Sequence, residues 1–240
     1  MNGQEKRTSP WVYVGVGCLA LVLLAVAAVA ILGYFGYRQA KQFAADMKDP
    51  QVRTQKALDA LGADALPEGY HAVMSMSVPF VMDMAILSDE PPDADGRSHG
   101  RGKRGFIYVS SMAPAGKREA LRDYFEGRGG EPDELRQQGI NLERGELLKR
   151  GAVDVEGQHL MYVAQRGSIS TGHGGGGGHG ITTTMLVECP GSDRQRMAFW
   201  FGPDPDPAVA PDKLDLTGTP GDEEALRAFM GHFRLCGRAA

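Results

Sequence analysis

The sequence predicts an α+β protein with an N-terminal transmembrane helix, a helical stalk, and a mainly antiparallel sheet of about six to seven strands packed by helices. Three observations carry this expectation. No charged residue occurs from Thr8 through Tyr37. Later segments alternate apolar and polar residues, with turn signals between them. The closing stretch then repeats Ala225, Leu226, Phe229, Met230 and Phe233 at helical spacing. The corresponding divisions are a tail at 1–11, an anchor at 12–37, a stalk at 38–62 and a globular part at 66–240.

The anchor rests on length and composition. Val12 to Leu32 is almost wholly Val, Leu, Ala, Ile and Gly, and about 20 such residues in a helix cross a hydrocarbon core of roughly 30 Å. Trp11 and Tyr13 flank one end and Tyr34, Phe35 and Tyr37 the other, where amphipathic rings favour the headgroup level. A cleavable signal peptide has a shorter apolar region followed by small residues. Here aromatics and Arg38 follow instead. Basic residues stand on both sides, Lys6 and Arg7 before the run and Arg38, Lys41 and Lys48 after it, so charge alone does not orient the chain. The short tail favours an N-terminus in the cytoplasm and a C-terminal domain outside it.

Cysteine and charge point the same way. Of three cysteines, Cys18 lies in the apolar run, while Cys189 ends a predicted strand and Cys236 stands at the end of the last predicted helix. Such a pair in an exported domain is a disulfide candidate, worth about 3–4 kcal/mol through loop entropy if formed; two buried free thiols are the alternative. Residues 1–48 carry net +3 and the remainder net −7, giving −4 in total. An acidic domain repels phosphate backbones, which excludes nucleic acid as the expected partner.

The stalk is read as an outward continuation of the anchor, followed by a short helix after Asp49-Pro50 that turns Val52, Ala57, Leu58 and Leu61 toward the domain. From Met74 to Ile86 every even position is apolar, the period of two strands with Pro79 at their turn, and that face is expected to be buried. Phe106 to Met112 follows as a strand. Lys117 to Gly127 reads as a helix burying Ala120, Leu121, Tyr124 and Phe125, and Glu131-Pro132-Asp133 as a helical turn. Two hairpins come next, Glu146–Val155 with Gln158–Arg166, and Ile181–Cys189 with Arg196–Gly202. Thr219-Pro220-Gly221-Asp222 reads as the start of the closing helix, with Thr219 as its cap.

From Leu66-Pro67-Glu68-Gly69-Tyr70 to the closing Phe229-to-Leu235 helix, residues about 66–236, the order of elements resembles the PsbP-like fold, an antiparallel sheet sandwiched by helices. That family includes extrinsic photosystem subunits and membrane-attached bacterial proteins. The resemblance implies a binding or accessory domain and places no functional residue.

Candidate chemistry is sparse. Met74, Met76, Met82 and Met84 put four thioethers on one strand face near His71, a donor set that suits Cu(I). The same stripe carries Val78, Phe80 and Ile86, however, so core filling is the expected role and no copper binding is predicted. His173 and His179 bracket five glycines, which offers two imidazoles for a metal or simply a glycine-rich hairpin tip. Arg97, Arg101, Lys103 and Arg104 form a basic loop suited to solvent or anionic lipid. No G-x-S-x-G, S-x-x-K or H-E-x-x-H pattern occurs, and no cofactor is expected. The resulting expectation is an exported accessory or interaction domain, bound to lipid through residues 12–37 and to a protein partner in the envelope. A copper-handling protein or an enzyme with a dispersed site are the alternatives.

Overall fold

The computed structural model describes residues 46, 48–93, 102–129, 145–167 and 180–237. The described residues belong to one compact unit that begins at Asp46. The described elements are α1 (Pro50–Leu61), β1 (His71–Val78), β2 (Met82–Ser88), β3 (Gly105–Met112), α2 (Ala115–Phe125), β4 (Glu146–Val155), β5 (Gln158–Arg166), β6 (Gly180–Glu188), β7 (Arg194–Pro203), a 3-10 turn (Pro211–Lys213) and α3 (Glu223–Met230).

The seven strands form one antiparallel sheet in the order β1-β2-β3-β7-β6-β5-β4. It consists of two meanders, β1-β2-β3 and β4-β5-β6-β7. They join where β3 pairs with β7, from Gly105 opposite Phe201 to Met112 opposite Arg194. The register places all three hairpin tips, at 79–81, 156–157 and 189–193, at the same end of the sheet.

The predicted architecture is corrected in two respects. The described chain consists of three α-helices and this sheet, and none of its helices is long and apolar enough to cross a membrane. Residues 12–37, on which the predicted transmembrane helix fell, lie outside the described residues, as do Cys18, the predicted turn at Glu131-Pro132-Asp133, and the glycine run with His173 and His179. The second correction is that Pro50–Leu61, a helix turning Ala57 and Leu61 to the domain as expected, belongs to the domain rather than to a stalk outside it. Its stripe of Arg53, Ala57 and Leu61, spaced four residues apart, is buried against the sheet. Asp49 caps the helix, accepting from the Gln51 and Val52 amides at 2.9 and 3.3 Å. Arg53 donates through Nε to the Ala72 carbonyl at 2.7 Å. The helix ends at Gly62, φ 61°, where an added Cβ would stand 2.4 Å from the Arg234 carbonyl oxygen. Only glycine fits the left-handed turn and the passing chain together.

One face of the sheet is closed by α1, α3 and the segment after α3. Phe106 stacks on Phe233 at 4.9 Å, and Trp200 on Phe229 at 4.4 Å. Trp200 Nε1 donates to Tyr70 Oη at 2.9 Å. Buried Gln158 donates to the Phe233 carbonyl and accepts from the Leu235 amide, both at 2.7 Å, fixing the last segment to β5. Cys189 and Cys236 form a disulfide with Cα atoms 5.3 Å apart, which decides between the alternatives left open by their spacing. The opposite face is covered by α2, whose Leu121, Tyr124 and Phe125 pack on Met161, Val163, Leu186, Met197 and Phe199. Ala120, expected in that contact, is exposed. The closing helix starts three residues later than expected: Asp222 caps it, accepting from the Glu224 amide at 3.2 Å, while Thr219 belongs to the preceding turn.

Candidate docking surface

The alternating segment Met74–Ile86 forms β1 and β2, but its predicted burial is reversed. Met76 lies directly opposite Met84, Met74 opposite Ile86, and Val78 opposite Met82. All six share one face and are only half-buried or exposed. The other face of the same strands carries Ala72, Ser75, Ala85 and Leu87, which are buried. The cause is helix proximity. Ala57 of α1 packs where Ala72 and Ala85 leave room, so small residues mark the core side and long ones point away from it.

Register carries the methionine face onto β3, where Met84 pairs with Val109 and Ile86 with Ile107, both partly exposed. Ile107 reaches the cluster under α2, and that cluster extends no further toward the β1 edge. Among the described residues, no helix lies over β1 and β2 on this side. The four thioethers that were expected to fill a core therefore line an apolar surface. His71 stands opposite Ser88 at its far end.

The surface runs into the β1–β2 tip. The Val81 amide donates to the Val78 carbonyl at 3.0 Å, closing a turn with Pro79 and Phe80 at its centre. Phe80 has φ 66°, a conformation that such turns normally fill with glycine or asparagine. Its ring is 89% exposed, with Val81 at 59%, Met112 at 58% and Val78 at 39%. Behind this corner lies a polar collar. Ser77 Oγ donates to Asp83 Oδ1 at 2.6 Å, and Arg194 bridges Asp83 Oδ2 at 2.6 Å and Ser110 Oγ at 2.8 Å. Sequence reasoning placed a turn here and missed the exposed aromatic. The available signal was a tip, Val78-Pro79-Phe80-Val81, with no Gly, Asn, Asp or Ser.

Other clusters are paired largely among their own residues. A cavity of about 350 Å³ lies between α2 and the hairpin end of β6 and β7. Arg118 pairs with the Ser192 carbonyl and Asp193, Arg122 with Glu188, and Arg194 with Asp83, while the buried Nε of Arg118 has no hydrogen-bond partner among the described residues. Asp154, His159 and Ser192 line a neighbouring depression. His159 Nδ1 is 2.8 Å from Asp154, while Ser192 Oγ accepts from the Arg194 amide and the Arg196 guanidinium. The hydroxyl's recorded partners are thus donors rather than a base, which is not how a nucleophile is activated. On the closed face, Tyr162 Oη donates to Glu223 at 3.4 Å, with Lys149 3.6 Å from the same oxygen. The hydrogen bond from Arg227 holds the Glu223 carboxyl below its ordinary range, and burial pushes the Tyr162 phenol up. This cluster stitches α3 to β4 and β5.

Arg97 and Arg101 of the predicted basic loop lie outside the described residues. Lys103 is exposed, and Arg104 pairs with Asp89 at 3.5 Å and lies over the Tyr70 ring. Among the described residues no group of three His, Cys, Asp or Glu side chains is placed to hold a metal. No protein-family profile matches the chain, and no curated protein matches it in sequence.

Proposed function

We propose that this protein is an interaction module held at a lipid bilayer through residues 12–37, with its sheet domain on the extracytoplasmic side and a protein partner docked on the open face of β1–β3. The observation that carries this reading is a half-exposed apolar surface over which no described helix lies. A contiguous surface of Met74, Met76, Met82, Met84 and Ile86 is out of place on a monomer without a partner, and unbranched thioethers adapt well to one. The Cys189–Cys236 bond supports an oxidising compartment. Helices on both faces of one antiparallel sheet are in keeping with the PsbP-like resemblance.

Two experiments test it. In intact cells carrying Cys18→Ser, an impermeant maleimide should label Cys189 and Cys236 only after mild reduction; labelling that requires opening the membrane removes the extracytoplasmic assignment. A photo-crosslinking residue at position 76 should give adducts that the same residue at His159 does not. Absence of adducts at 76 removes the docking assignment. Because the four thioethers are open on one side, a Cu(I)-handling role is the second reading, and titration of the purified protein showing sub-micromolar Cu(I) binding would favour it over docking.

A further inference from the structure

We infer that the β1–β2 hairpin tip inserts into the bilayer interface, with Phe80 as its leading side chain and Val78, Val81 and Met112 as its shoulders. This rests on the reading that residues 12–37 hold the chain at a membrane. Four observations point to lipid.

The first is the backbone. Phe80 occupies a left-handed position, φ 66°, in a turn that glycine would fill without strain. A large side chain there costs stability, and almost none of the ring is covered in return. Glu156 at the β4–β5 tip shares a positive φ, 49°, so what sets Phe80 apart is that this position carries a large apolar side chain left almost fully exposed.

The second is contrast at the same end of the sheet. The β4–β5 tip is Glu156-Gly157, and the β6–β7 tip includes Gly191, Ser192 and Asp193. Those tips are polar and water-facing, although Glu156 too has a positive φ. Only the first tip concentrates aliphatic and aromatic groups, on both faces of the hairpin: Val78 on the methionine side, Val81 and Met112 on the other, with the Met112 amide donating to the Val81 carbonyl at 3.4 Å. A wedge that is apolar all round suits an isotropic apolar medium better than a one-sided protein groove.

The third is the collar. Asp83 and Arg194, the charges nearest the tip on the closed side, are already paired with each other and with Ser77 and Ser110. Insertion to the depth of the tip therefore strips no unpaired charge of water. The fourth is reach. Residues 38–45 are all that separates the apolar run from the described domain, at most about 29 Å of fully extended chain. With the tip seated, strands β1 and β2 rise from the interface and their methionine face stays open to a partner.

The test uses the full chain in membranes, with Cys18→Ser and a nitrobenzoxadiazole probe on Phe80→Cys or, as control, Gly157→Cys. The probe at 80 should be quenched by nitroxide-labelled phospholipid, and its quenching by aqueous iodide should be about tenfold weaker than at 157. Because contact is apolar, raising the salt to 0.5 M should leave both readings unchanged. Unlabelled Phe80→Gly should melt about 2–4 °C higher, since the strained turn is relieved. In that background a probe on Val81→Cys should turn from lipid-quenched to iodide-quenched, a loss of contact without loss of folding. Equal iodide quenching at 80 and 157 overturns the inference. So does a probe at 80 shielded from iodide yet untouched by nitroxide lipid, which assigns the tip to a protein or to a second copy of this chain. Carbonate washing separates the two levels: a chain that washes off defeats the tether itself, whereas a retained chain with an aqueous tip defeats only this inference.

Discussion

Strands β1 to β3 differ on their two sides. On one, α1 and the aromatic residues of α3 and the last segment close over Ala72, Ala85, Leu87, Phe106 and Tyr108. On the other, four methionines and two isoleucines lie half-covered. In β5 to β7 both sides are filled, by apolar runs such as Leu160-Met161-Tyr162-Val163-Ala164 in β5 and, in β6, by the buried threonines Thr182, Thr183 and Thr184 beside Met185-Leu186-Val187. Apolar character thus has two uses within one sheet, holding the domain together and presenting a surface.

Substitutions should separate those uses. The largest effect is expected on the closed side: Phe233→Ala removes a ring with no exposure that stacks on Phe106 and should cost about 3–5 kcal/mol in urea unfolding. Next comes the staple. Replacing Cys189 and Cys236 together with serine should cost about 3–4 kcal/mol, because the bond closes a separation of 47 residues; a loss below about 1 kcal/mol would mean that Gln158 alone suffices to seat the last segment. Met84→Ala, on the open side, should cost about 1 kcal/mol or less while lowering crosslinking at position 76. A cost like that of Phe233→Ala would show that the methionine face is core after all.

Titration gives the mildest test. Burial raises the pKa values of Tyr70, Tyr108 and Tyr162, all on the closed side, above 10.0. Groups whose folded pKa is raised contribute stability in full below the unfolded value and lose it as pH climbs through the folded one. Absorbance at 295 nm should therefore show these phenols ionising above pH 10, together with a falling unfolding midpoint. Ionisation at their ordinary value with no change in stability would mean that the closed side admits water.

The α+β content, the hairpins, the strand count and the cysteine pair were legible in the sequence because each has a local signature: period two, turn residues, and cysteines at element ends. The domain's starting point was not. The apolar residues of Pro50–Leu61 are few, and Arg53, a residue that reads as solvent-facing, is buried by a carbonyl supplied from β1. The direction of β1 and β2 was misread for a related reason. Alternation shows that two faces differ but not which is inside, and a close helix inverts the usual inference by demanding alanine and serine at the core. Phe80 escaped notice because its neighbours read as strand, and its exposure depends on a φ angle that no side-chain pattern reports.

The seam between the two meanders has a consequence for how the chain is made. β3 has only β2 beside it until β7 emerges, more than eighty residues later, when Gly105–Met112 meets Arg194–Pro203. Local hairpins form quickly, whereas a pairing so distant in sequence is slow and leaves a bare strand edge on each half in the meantime. The rate-limiting event of folding should be the zipping of β3 to β7, and a nascent chain halted before residue 194 would hold an unpaired, apolar edge that needs shielding from its neighbours.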